Sequence, residues 1–135
     1  MGGKIKNVTN AVDKTYDFTE KELLDMPTST IETSTAWTAK SAFVGPLLGD
    51  VLKKVGAAGK TVQMIALNDY FADMPVSVSQ KYGAILAHTR NGERLVTRDH
   101  GPLFVMLPRD KFPAELNTPL AARWYVWQLC RIDVE

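Results

Sequence analysis

The run "TSTAWTAKSAFVGPLLGDVLKK", Thr33 to Lys54, carries two signals in succession. Its first part is a row of small hydroxyls ending in Trp37. Its second part passes through Gly45-Pro46 into a short amphipathic helix. A packed core has no use for the hydroxyls, and a solvated loop has none for the indole. A pocket for a flat polar ligand uses both. In "GPLLGDVLKKVGAAG" Pro46 opens the helix, where its missing N–H costs nothing, and Gly56 closes it. Leu47, Leu48, Val51, Leu52 and Val55 form the stripe that such a helix buries. Upstream, "STIETSTAW" is rich in β-branched residues and reads as a strand.

Outward from this run the chain alternates short elements. "KIKNV" reads as a first strand. "DFTEKELLDMP" reads as a helix with Thr19 as N-cap and Glu22 three residues on, a capping box stopped by Pro27. "TVQMIALND" is a strand ending at Asn68 and Asp69, and "SVSQKYG" is a helical turn. Asn91-Gly92 joins "AILAHT" to "RLVTRD" as a hairpin. "GPLFVMLP" is a buried strand. After a proline-containing loop from Pro108 to Pro119, "WYVWQLCRIDV" supplies the last strand. Many strands with two or three short helices predict an α+β fold, mostly β with mixed sheets, as one domain over residues 4–134.

The 135 residues suit one hydrophobic core. Sixteen basic against fifteen acidic residues leave a net charge of +1, which gives no electrostatic case for nucleic acid. No apolar run approaches the roughly 20 residues that a membrane-spanning helix needs. A single cysteine, Cys130, excludes an internal disulfide and a cysteine-rich metal site. It reads as a small buried side chain within the last strand. "MGGKIK" has neither an apolar h-region nor a cleavage site.

Catalytic constellations are poor. His88 and His100 flank the hairpin without an aspartate-histidine-serine order, and structural roles suit them best. "GAAGK" follows a helix instead of preceding one, the wrong order for a phosphate loop. Three clusters are more informative: Thr33, Ser34, Thr35 and Trp37; Asn68, Asp69 and Tyr70; and Arg123, Trp124 and Trp127 in "RWYVW". For each the plain alternative is a strand end, a turn, or aromatic core.

Together, the hydroxyl-rich strand, "FVGPLLGDVLKKVGA", "ALNDY", "YGAILAHTRNGERL", "RDHGPLFVMLP" and "WQLCRIDV" resemble the sulfite-oxidase-type molybdopterin-binding domain over nearly the whole chain. The resemblance implies a pterin cleft at the strand ends. Members that do molybdenum chemistry carry a metal-binding cysteine on the strand before the helix, where this chain has "ETSTAW", with Thr33 or a neighbour in its place. A hydroxyl is a poor substitute for a soft thiolate. The resemblance therefore points to a non-enzymatic branch that binds a reduced pterin, a tetrahydropterin type included, with no metal expected. Its relatives are periplasmic and report to a membrane signalling protein that handles cyclic di-GMP. An oxidoreductase domain holding molybdopterin through a non-cysteine ligand is the alternative, as is a cytoplasmic location.

A pterin is a flat ring with a donor-rich edge. On this reading Trp37, Tyr70 or Trp124 stacks on it, and Asp69 accepts its paired N–H groups. Arg98 or Arg123 donates to its carbonyl or to a phosphate. Ser34 and Thr35 suit a polyhydroxylated side chain, and Asn68 is a further ligand-binding candidate.

Overall fold

The computed structural model describes residues 1–135. In chain order it has β1 (Gly2–Gly3), α1 (Glu20–Asp25), β2 (Thr28–Thr33), β3 (Ser41–Pro46), α2 (Leu48–Lys54), β4 (Thr61–Ala66), β5 (Phe71–Pro75), α3 (Val76–Tyr82), β6 (Ile85–Ala87), β7 (Thr89–Arg90) and β8 (Glu93–Arg94). A 3-10 turn (Thr97–Asp99), β9 (Phe104–Met106), α4 (Pro113–Leu116), α5 (Pro119–Ala122) and β10 (Leu129–Val134) follow. The result is an α+β fold dominated by short strands, as the sequence predicts.

One sheet runs β1-β10-β4-β5, antiparallel except for β1 beside β10. A second runs β2-β3-β7-β8, antiparallel throughout. β6 and β9 form a two-stranded ribbon whose six residues are all buried. Isolated bridges connect these pieces: Leu47 with Ile85, and Phe104 with Trp127. In β4 the alternation expected of a half-buried strand is complete, with Val62, Met64 and Ala66 inward. In β10 the register slips between Leu129 and Arg131, so the next inward residues are Ile132 and Val134.

Leu48, Val51, Leu52 and Val55 of the α2 stripe are buried; Leu47 is half-buried. Each such aliphatic side chain contributes about 1.5–3 kcal/mol on full burial. Thr19 caps α1 by accepting the Glu22 N–H at 3.1 Å. The capping box is only half made, because the Glu22 carboxylate turns to Tyr16 Oη and, at 3.0 Å, to Lys54 Nζ. It thereby ties α1 to α2. Asn91 (φ 51°) and Gly92 (φ 83°) both take positive φ, the geometry of a two-residue hairpin turn.

Several boundaries differ from the sequence reading. In "KIKNV" Lys4 alone meets the sheet, its N–H on Val134 O, while its carbonyl accepts from Ala58 N–H; the N–H groups of Lys6 and Asn7 go to Val55 O and cap α2 instead. Pro46 ends β3, and α2 begins two residues later. "RLVTRD" gives only Arg94 to β8, with Leu95 N–H donating to His88 O, before the 3-10 turn. β5 is a strand to which the sequence reading gave no element; Ala72 and Met74 alternate inward in it. The loop from Pro108 to Pro119 contains α4, and α5 starts at its end; each is a single turn opened by proline. The last strand starts only at Leu129, since Gln128 has φ 56°.

The "FVGPLL" signature has a packing explanation. Phe43 and Leu48 are fully buried, and between them Gly45 lies flat on β6. A Cβ on Gly45 would stand 2.0 Å from Leu86 O and 2.6 Å from Leu86 C, both backbone atoms. Gly45→Ala therefore has to push two strands apart. We expect a loss of about 1–3 kcal/mol or more, the usual range for overpacking. Urea denaturation should show a lower midpoint with little change in slope; an unchanged midpoint would show that β3 and β6 separate freely.

Candidate aromatic cleft

Three segments meet at one end of the β4–β5 hairpin. The hairpin loop is closed by Ala66 N–H to Tyr70 O at 2.8 Å and Asp69 N–H to Ala66 O at 3.0 Å. Asp69 takes φ 68°, and Asn68 Oδ1 accepts the Tyr70 N–H at 3.1 Å. Tyr70 is thrown outward, and its hydroxyl donates to Arg123 O at 3.3 Å.

The loop between β2 and β3 is folded by Thr35. Its hydroxyl accepts the N–H groups of Trp37 and Thr38 at 3.1 and 3.0 Å and lies 2.8 Å from Thr38 Oγ1. Such a hydroxyl-closed turn fixes the backbone locally. Trp37 projects from it, 48% exposed.

The third segment precedes β10. Gln128 N–H donates to His100 O at 2.9 Å, Leu67 N–H donates to Gln128 O at 2.9 Å, and Gln128 Nε2 donates to Thr97 O at 2.6 Å. These bonds hold Trp127 against the hairpin. The His100 ring meets it edge-on, with centroids 5.3 Å apart at 88°. Tyr125 is buried, and its hydroxyl donates to Leu116 O at 3.2 Å. Burial pushes that phenol far above its ordinary pKa, so it stays neutral.

Between the three segments lies a cleft of about 160 Å³ lined by Trp37, Ala66, Asn68, Tyr70, Tyr125 and Trp127. Four of its six walls are aromatic. Its polar edge is Asn68, whose amide oxygen is used within the turn while the amide nitrogen has no partner in the chain. This arrangement can hold a flat ring by its faces and offer one donor to its rim.

Trp37, Asn68 and Tyr70 thus come together. The other candidate residues do not line this cleft. Ser34 is bound to Asp110: its N–H and hydroxyl donate to the carboxylate at 2.8 and 2.7 Å. The Thr35 hydroxyl is spent on its own turn. Asp69 and Arg98 are exposed on turns, and Arg123 is exposed beside Tyr70. Trp124 is half-buried, and its indole N–H donates to Asp73 O at 3.1 Å. Sequence reasoning missed Tyr125 as a cleft wall and gave Trp127 of the "RWYVW" cluster no ligand contact, with aromatic core as its alternative; the break at Gln128 leaves it on the cleft. Cys130, expected to be buried, is exposed, with its thiol donating to Ile65 O at 3.4 Å.

The two Ser34 hydrogen bonds are the largest influence holding the Asp110 carboxyl below its ordinary value, with Arg109 and Lys40 adding to them. A lowered carboxyl stabilises the fold above the ordinary carboxylate range, and that contribution disappears as pH falls through the lowered value. Ser34→Ala should return Asp110 toward its ordinary titration, measurable by side-chain carboxyl NMR. An unmoved titration would show that this link does not hold the loop in solution.

No protein-family model matches the sequence, and neither does any curated protein. Among solved structures, the chain is similar to the sulfane dehydrogenase SoxCD from Paracoccus pantotrophus, with a TM-score of 0.65 at 20% identity. The match covers 87% of this chain and 34% of that one, so the chain spans about a third of its length. At that identity the likeness speaks for architecture alone: the chain has a sulfite-oxidase-like fold.

Proposed function

We propose that the chain is a binding domain for a reduced pterin, held in the aromatic cleft without catalysis. The observation that carries this reading is the convergence of Trp37, Tyr70, Tyr125 and Trp127 around one slot beside Asn68. An aromatic slot recognises a planar ring by stacking, and a ring with polar edges uses the free amide. The slot is small. A cavity near 150 Å³ holds benzene, and pockets for drug-sized ligands span about 300–1,000 Å³. A single ring system therefore fits, with its edge and side chain outside.

The alternative, a molybdopterin-dependent oxidoreductase domain, draws its support from the likeness to a sulfane dehydrogenase. The residues present fit the metal poorly. Thr33, at the end of β2, is fully buried, and its hydroxyl is occupied: it donates to Ser34 O at 3.3 Å and accepts from Asp110 N at 2.9 Å. The one soft ligand, Cys130, lies on β10 against Ile65, away from that strand end. We read the domain as periplasmic, reporting pterin occupancy to a membrane signalling protein of the cyclic di-GMP type. That part rests on the family resemblance.

Trp37→Ala should weaken binding of a tetrahydropterin by about 1–3 kcal/mol, roughly tenfold to a hundredfold, with little loss of stability. The contrast is Phe43→Ala in the core, expected to cost about 3–5 kcal/mol of stability. Fluorescence titration beside thermal melts separates the two. Unchanged pterin affinity in Trp37→Ala would remove the cleft from the reading. Near-stoichiometric molybdenum in protein from a host that makes the cofactor would favour the oxidoreductase.

A further inference from the structure

A second, larger cavity of about 650 Å³ shares no wall residue with the aromatic cleft. It lies under α1, between β10 and the segment from Arg94 to Leu103. Leu23, Leu24, Leu86, Leu95, Leu103 and Leu129 dominate its walls. Phe18 is its only phenyl ring, and it has no Tyr or Trp. The lining is aliphatic where the other cleft is aromatic, and α1 itself buries no residue completely over it.

His88 belongs to the same wall and is only 7% exposed. Its Nδ1 lies 2.7 Å from Thr89 Oγ1. Its Nε2 is the one buried side-chain nitrogen or oxygen in the chain without a partner. Burial first, and the Arg94 cation second, lower its pKa, so the ring is neutral at pH 7. The ring therefore adds a buried, uncharged face to the cavity wall and leaves Arg94 as the cation beside it.

Arg94 stands next to it, its Nε donating to His88 O at 3.4 Å. Its Nη1 pairs with Glu20 of α1 at 3.0 Å, through side chains 42% and 73% exposed. Such an open pair contributes little and exchanges easily for another carboxylate. Arg131, also at the cavity, is already paired with Asp133 at 2.9 Å.

We infer that this cavity is a second ligand site and takes an aliphatic monocarboxylate, the chain among the leucines and the carboxylate on Arg94. The ligand carboxylate replaces Glu20 on Arg94, beside the neutral His88 ring. The cavity volume lies in the range of pockets that enclose a drug-sized molecule.

Cys130 lines the same cavity and is the only cysteine, so its alkylation reports occupancy. Decanoate, kept below micelle formation, should slow modification of Cys130 by iodoacetamide, and calorimetry should show one site. Decanol should bind at least about tenfold more weakly, since it lacks the charge-assisted bond to Arg94. Arg94→Gln should abolish that preference, and Leu24→Trp, by filling the cavity, should remove binding of both. Pterin titration of the same variants should be unchanged, which separates this site from the aromatic cleft. No protection by decanoate, equal affinity for decanol, or a preference that survives Arg94→Gln would each overturn the assignment. Those outcomes decide it even if Leu24→Trp fails to fold.

Discussion

The fold depends on how closely β3 approaches β6. Backbone lies on backbone at Gly45 and Leu86, with no room for a methyl group. That contact places Phe43 and Leu48 in the core on either side of it and lets α2 start where Leu48 N–H finds Ala84 O at 2.8 Å. It also fixes where β3 begins, and therefore where the loop from Ser34 to Lys40 must turn back. The position of Trp37 is a consequence of that packing as much as of its own turn. Close-packed interiors transmit such constraints because they have no slack to absorb them.

The hydroxyl row before Trp37 looks like ligand chemistry in one dimension and works as scaffolding in three. Thr33, Ser34 and Thr35 each spend their hydroxyls within the protein, on Asp110, on one another's backbone and on Thr38. Short polar side chains prefer local backbone partners, so a run of them at a strand end more often builds a turn than presents a surface. Their contribution to a ligand is indirect. They hold an indole half out of the core, where an unbraced loop would let it collapse.

The elements that were legible in sequence are those whose signal is local. Thr19 before α1, Asn91-Gly92 between β7 and β8, the α2 stripe and Gly56 all act within a few residues. β5 was hidden because Asp73 and Pro75 are poor strand formers, although a four-residue loop brings it straight back onto β4. The site divides in the same way. Trp37 and Tyr70 announce themselves as aromatics beside turn residues. Trp127 does not, since its role depends on Gln128 leaving the strand with a positive φ that only the contacts to His100, Leu67 and Thr97 explain.

Those same contacts decide how the cleft can respond to a ligand. Gln128 ties Trp127 to the hairpin loop through Leu67 and to the 3-10 turn through Thr97 and His100. Tyr70 ties the hairpin back to Arg123 on the other side. Two of the three walls therefore belong to one hydrogen-bonded unit. The wall carrying Trp37 is held separately, by Thr35 and by the Ser34–Asp110 link to the loop before α4. A ring entering between them has one braced face and one face on an independent loop. The two sides of the cleft are therefore set by separate hydrogen-bond groups, so a change in the Ser34–Asp110 link acts on Trp37 without passing through Gln128 or Tyr70.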